Sequence, residues 1–162
     1  MPRIGVTGHT LLSADTATMV YDALCDELRR YRASRLHGIT CLAAGADQLF
    51  ANAVRAVGGT FEAVVPAADY RDKVVSADNR PEFDELIGLA ERVTYMPFAR
   101  SGPEAYMAAS EELLRRSELL FAVWDGSMAG RLGETGAVVA AARVRNLRVR
   151  VLWPANAIRS TR

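Results

Sequence analysis

Short apolar runs alternate along the chain with longer stretches whose apolar residues recur every three or four positions. Residues 4–7, Ile-Gly-Val-Thr, read as a first strand. From Ala14 to about Arg32 the residues Met19, Val20, Ala23, Leu24, Leu28 and Tyr31 fall on one helical face, and Ser13 can cap its start. Residues 39–43 read as a second strand, residues 46–57 as a helix stopped by Gly58 and Gly59, and residues 61–65 as a third strand ended by Pro66. A polar loop is expected through Asn79. Pro81 then suits the first turn of a helix carrying Phe83, Leu86, Ile87 and Ala90. Residues 93–96 read as a short fourth strand, and Pro103 starts another helix with Tyr106, Ala109, Leu113 and Leu114 on one face. Residues 119–124 form an unbroken apolar strand, a helix runs from Gly133 to about Arg145, and residues 149–153 end the pattern as a strand.

Alternating strands and helices predict an α/β, Rossmann-like three-layer sandwich with a mainly parallel sheet. Residues 1–162 are expected to form a single domain of this type. The run 119–124 is apolar on both faces and belongs at the centre, whereas the mixed fourth strand and the alternating sixth suit edges. The order 4-3-2-1-5-6 follows. In that order the chain reverses direction between strands 1 and 5, where open α/β sheets bind ligands beyond the strand carboxyl ends.

Three turns rich in small residues meet at this reversal: Thr7-Gly8-His9-Thr10, then Ala43-Ala44-Gly45-Ala46-Asp47, then the long segment from Asp125 to Gly136. Glycine allows close backbone approach, and a helix start near Gly133 favours an anion. Composition narrows the rest. The 162 residues are half apolar and 24% charged, with 20 basic against 19 acidic side chains. The net charge of +1 weighs against nucleic acid as a partner. No apolar run is long enough to span a membrane, and the chain enters an apolar strand at once without a leader. Two cysteines, Cys25 and Cys41, make no Cys-x-x-Cys, which points to a reducing cytoplasm. His9 and His37 sit at opposite ends of the expected sheet, so no metal site is expected.

Val6-Thr7-Gly8-His9, Leu42-Ala43-Ala44-Gly45-Ala46-Asp47-Gln48, and Ala122-Val123-Trp124-Asp125-Gly126 followed by Gly133-Glu134-Thr135 together resemble the SMF/DprA–LOG (SLOG) superfamily, especially its small bacterial YpsA-like branch. The resemblance spans nearly the whole chain. It implies a Rossmann-like fold that binds nucleotides or nucleotide-derived ligands. Some relatives are phosphoribohydrolases, and the DNA-processing relatives bind single-stranded DNA. The hydrolase relatives carry a glutamate soon after the threonine of Gly-Gly-x-Gly-Thr-x-x-Glu, but here Thr135 is followed by Gly136, Ala137 and Val138. Their Arg-Lys pair is also missing from residues 107–112. The resemblance therefore implies the fold and the pocket without transferring the hydrolase chemistry.

The primary expectation is a cytoplasmic module binding a nucleotide or nucleotide-derived small molecule in the strand 1/strand 5 crevice, with no cofactor required. The ligand-binding candidates are Thr7, Gly8, His9, Gly45, Asp47, Tyr70, Arg71, Asp125, Gly126, Arg131, Gly133, Glu134 and Thr135. Each has a plainer role as well: His9 as a turn histidine bonded to backbone, Asp47 as a helix cap, Asp125 as the anchor of the long turn. The alternatives are a phosphoribohydrolase-like enzyme using Glu134 or Asp125 as its catalytic carboxylate, and a single-stranded nucleic-acid binder. A homodimer through the helix bearing Tyr106, Met107 and Leu114 is also expected, because relatives of this fold pair through helices beside the pocket.

Overall fold

A computed structural model describes residues 2–128 and 134–158. Its six strands are β1 (Arg3–Gly8), β2 (His37–Thr40), β3 (Thr60–Val65), β4 (Arg92–Tyr95), β5 (Leu119–Val123) and β6 (Arg148–Val151). They form one all-parallel sheet in the order β4-β3-β2-β1-β5-β6. The helices are α1 (Ala14–Leu28), α2 (Ala46–Ala56), α3 (Tyr70–Lys73), α4 (Arg80–Leu89), α5 (Pro103–Arg116) and α6 (Thr135–Val144). The expected α/β class and strand order are therefore found.

Side chains alternate across the pleat. Ile4, Val6, Phe61, Phe121 and Val123 meet Leu24 and Leu28 of α1, Phe50 and Val54 of α2, and Phe83 and Leu86 of α4. Ile39, Val64 and Leu120 meet Leu113 and Leu114 of α5 and Val138 and Ala142 of α6. Every residue of β5 is buried, as its apolar run requires. Ser13 caps α1, its side chain accepting the Thr16 N–H at 3.2 Å.

Beyond small shifts at strand ends, such as β6 running over Arg148–Val151 and not 149–153, four elements differ from expectation. Helix α1 ends at Leu28, not near Arg32, because the Arg30 and Tyr31 N–H groups bond three residues back and tighten the last turn. Strand β2 starts at His37 and stops at Thr40, two to three residues early. Leu42 takes φ +57°, which no strand residue can hold, so the chain leaves the sheet there. The loop expected through Asn79 contains the one-turn helix α3. Helix α6 starts at Thr135, so Glu134 occupies the N-cap position and not the first turn.

His37 opens β2 at the amino end of the sheet, far from the strand 1/strand 5 crevice. Its ring lies 2.8 Å from Thr60 Oγ1 and 2.7 Å from Glu62 Oε2. Arg116 donates to Glu62 at 2.6 Å and Arg3 donates to it at 3.1 Å. Burial works to raise the Glu62 carboxyl, but Arg116, His37 and Arg3 outweigh it and hold it below its ordinary range. The roles of His37 and these arginines are structural.

Candidate functional site

A cleft of about 430 Å³ opens beyond the carboxyl ends of β1, β2 and β3 and reaches the start of α6. Its volume suits a small molecule. The turn after β1 supplies Thr7, Gly8, His9 and Thr10, and the start of α6 supplies Glu134, Thr135 and Gly136. Leu11, Pro66, Tyr70, Val74 and Tyr106 form an apolar and aromatic wall. Tyr70 meets Tyr106 edge-on at 6.3 Å and is itself backed by Phe83 at 6.0 Å.

Thr7, Tyr70 and Thr135 are each more than nine-tenths buried, yet their side-chain hydroxyls take part in no hydrogen bond among the described residues. No fully enclosed side-chain nitrogen or oxygen there lacks a partner, so these hydroxyls open onto the cleft. No lysine or arginine lines the cleft among the described residues.

Asp47 occupies the first turn of α2. It is not the cap of that helix: Gly45 stands at the N-cap position. Instead Asp47 Oδ2 reaches back and accepts the Ala43 N–H at 3.2 Å, tying down the turn that leaves β2. Burial pushes its carboxyl up to about 7, against the opposing pull of the Ala43 hydrogen bond. Cys41, expected inside a strand, lies just past β2 and faces the same cleft. Burial and the neighbouring Asp47 both push its thiol up, which makes it a poor nucleophile. Gln48 and Asn79 exchange two amide hydrogen bonds, at 2.8 and 2.9 Å, and so fix the segment before α4 against the β2 turn.

Gly8 and Gly45 serve contacts between protein segments. A Cβ at Gly8 would lie 2.5 Å from Ala46 Cβ and 2.8 Å from Val123 Cβ. Gly45 has φ +85°, and a Cβ there would lie 2.7 Å from the carbonyl oxygens of both His9 and Thr10. Gly8 therefore lets α2 and β5 close on β1, and Gly45 lets the first two turns touch. Gly126 also has positive φ but nothing lies within 4 Å of its missing side chain.

His9 and Asp125 join the first turn to the fifth strand's exit. The Asp125 N–H donates to His9 Nε2 at 3.1 Å, and Asp125 Oδ1 lies 3.2 Å from the same nitrogen. The nitrogen accepts from the backbone when unprotonated and donates to the carboxylate when protonated. Asp125 Oδ1 also accepts the Ser127 N–H at 2.9 Å. Burial works to raise the Asp125 carboxyl, but the hydrogen bonds from Ser127 and the adjacent His9 outweigh it. Asp125 thus holds the turn, and only His9 of the pair lines the cleft.

Of the candidates read from the sequence, the cleft brings together Thr7, Gly8, His9, Asp47, Tyr70, Glu134 and Thr135. Gly45 lies behind the turns, and Asp125 and Gly126 lie beside the cleft without lining it. Arg71 points elsewhere, with a two-pronged bond to Asp84 at 2.7 Å for each prong. Arg80 donates to the carbonyls of Arg71 and Asp72. Both arginines brace α3 against α4. Arg131 and Gly133 lie outside the described residues. Sequence reasoning assigned Tyr106 to a dimer face and missed it as a cleft residue, because its spacing shows only that it shares a helix face with Ala109, Leu113 and Leu114.

Among the described residues no group of three or more His, Cys, Asp or Glu side chains is arranged to hold a metal ion. No helix among them is long and apolar enough to cross a membrane.

No family model matches the chain, and no curated protein matches it. Solved structures do. The chain is similar to DNA processing protein A (DprA) from Streptococcus pneumoniae, with a TM-score of 0.70 and 16% identity over 96% of this chain and 52% of that one. It thus spans about half of the pneumococcal protein. It is similar to DprA from Helicobacter pylori, described by its single-stranded DNA binding mode, with a TM-score of 0.67 and 12% identity over 96% of this chain and 67% of that one. It is also similar to the molybdenum cofactor carrier protein of Chlamydomonas reinhardtii, with a TM-score of 0.60 and 17% identity over 93% and 75% of the two chains. What these likenesses show is the fold: an α/β domain of the kind found in the DprA proteins and the molybdenum cofactor carrier protein.

Proposed function

We propose that the chain is a binding module for a nucleotide or nucleotide-derived small molecule, held in the cleft between the β1 turn and the start of α6. One observation carries this reading: the Thr7 and Thr135 hydroxyls, on residues more than nine-tenths buried, open onto a cleft of small-molecule size with no partner among the described residues. Buried hydroxyls are normally satisfied, so an arrangement that leaves both open suits a ligand with acceptors or donors of its own. The first turn of α6 adds backbone N–H groups beside Thr135, which suits a phosphate or another anion. Similar folds occur in proteins described as molybdenum cofactor carriers and as single-stranded DNA binders. The bounded cleft and the net charge of +1 favour a small molecule over a strand.

This module is assigned to the cytoplasm on its cysteine usage, and a homodimer is retained as part of the proposal. The dimer face expected on α5 needs revision: Leu114 is buried against the sheet, so any such face uses Met107 and not Leu114.

Native mass spectrometry of freshly purified protein, followed by denaturation, tests the reading. A released nucleotide or nucleotide-derived compound in stoichiometric amount is the expected result. Protein that carries no such compound, and binds none from a panel of nucleotides, contradicts it.

A further inference from the structure

Asp47 lines the cleft while more than nine-tenths buried, and among the described residues no lysine or arginine lines the cleft beside it. Among the described residues Oδ2 accepts one hydrogen bond, from Ala43, and Oδ1 accepts none. Since no enclosed oxygen lacks a partner, Oδ1 is open to the cleft. The wall beside it is aromatic and apolar, with Tyr70, Tyr106, Pro66 and Val74. Such a surface suits a flat ring lying along it, with the ring edge turned to the carboxylate.

An ionised carboxylate only accepts hydrogen bonds. The amino groups of adenine and cytosine stand next to a ring nitrogen lone pair, which the second oxygen of Asp47 would repel. The amino group of guanine or of a pterin stands next to a ring N–H, so both neighbours donate. We propose that Asp47 is a specificity-determining residue that accepts from the donor edge of a flat heterocycle carrying an amino group beside a ring N–H, the edge shared by guanine and pterin rings. This assignment rests on the small-molecule reading above.

The state of the carboxyl gives the assignment a pH signature. Burial pushes Asp47 up to about 7, so its acceptor-only form grows as pH rises through that value. Donor-edge binding should strengthen over the same range. Cys41 from the β2 exit, Tyr70 from α3, Tyr106 from α5, His9 from the β1 turn and Glu134 from the start of α6 share the cleft. Burial pushes the Cys41 thiol and the Tyr70 and Tyr106 phenols up, so these stay protonated across the range. His9 and Glu134 are the other ionisable groups on the cleft, and an Asp47→Asn variant separates the part of Asp47 from theirs.

Calorimetric titration of the full chain with GMP, IMP, AMP and neopterin tests the assignment. GMP or neopterin should bind at least about tenfold more tightly than IMP, which lacks the amino group, and than AMP, whose amino group adjoins an acceptor. The tighter of GMP and neopterin identifies the source of the ring. Asp47→Asn should erase the preference and flatten the pH dependence between about pH 6 and pH 8. The wild-type preference among ligands decides the matter even if the variant folds poorly. Equal binding of GMP, IMP and AMP, or a preference that survives in folded Asp47→Asn, overturns the assignment and leaves the small-molecule reading intact. Failure of every ligand to bind, with nothing released on denaturation, overturns that reading and this assignment with it.

Discussion

Gly8 and Ala46 pack so closely that a Cβ on the glycine would lie 2.5 Å from the alanine methyl. The contact joins the end of β1 to the first residue of α2, and Val123 of β5 closes it from the other side at 2.8 Å. Sequence alone suggested that Gly8 brings the backbone close to a ligand. In the structure its missing side chain is what allows three elements to meet beside the cleft.

Gly8→Ala should therefore lower stability, by roughly 1–3 kcal/mol, because the neighbours are helix and strand positions that cannot swing aside. Urea unfolding monitored by circular dichroism measures it. An unchanged midpoint would return Gly8 to a role in ligand approach alone.

Much of the fold could be read before any coordinates. The β5 run of Leu119 to Val123 announced a central strand, and the alternation of β6 announced an edge, because burial on two faces or one is written in apolar periodicity. Boundaries were lost where tertiary contacts overrule that pattern. His37 reads as polar but is buried in β2 by Thr60 and Glu62, while apolar Leu42 leaves the sheet at φ +57°. Helix α3 is too short to show a period. The site was half legible: glycine turns located it, but the burial of Asp47, the diversion of Arg71 to Asp84 and the use of Asp125 as a turn anchor all depend on long-range neighbours.

The acid limit of stability should depend on Glu62. Its carboxyl is held below its ordinary value of 4.5 in the folded protein. Its contribution is then fully present above that value and is lost as pH falls through the lower, folded value. Glu62→Gln should cost about 2 kcal/mol at neutral pH, because Arg116 and Arg3 lose their carboxylate. The cost should shrink at acid pH, as pH falls through the lower, folded value and the wild-type group is neutralised as well. Urea midpoints at neutral and acid pH measure the change; a pH-independent cost would show that packing, not charge, is at stake.

Glu134 lines the cleft at the N-cap position of α6, and its side chain makes no capping hydrogen bond. Its charge faces the helix end that suits a phosphate. Two unit charges about 5 Å apart interact by roughly 3 kcal/mol at an effective dielectric near 20, and solvent exposure screens much of this. Glu134→Gln should tighten a nucleoside monophosphate several-fold by calorimetry. Weaker binding in the variant would instead give the carboxylate a contact with the ligand. Release of ribose 5-phosphate by the wild type, lost in the variant, would revive a catalytic role.

Ligand binding in the cleft turns on the open hydroxyls of Thr7 and Thr135, and valine in place of each keeps the shape while deleting the hydroxyl. The most direct measurement is calorimetric binding of the ligand released from the wild type, or of the best-binding nucleotide, to Thr7→Val, Thr135→Val and the double variant. Each single change should weaken binding about tenfold with the unfolding midpoint nearly unchanged, since neither hydroxyl has a partner to lose within the described protein. Full affinity in the folded double variant would contradict the account and place the ligand outside this cleft.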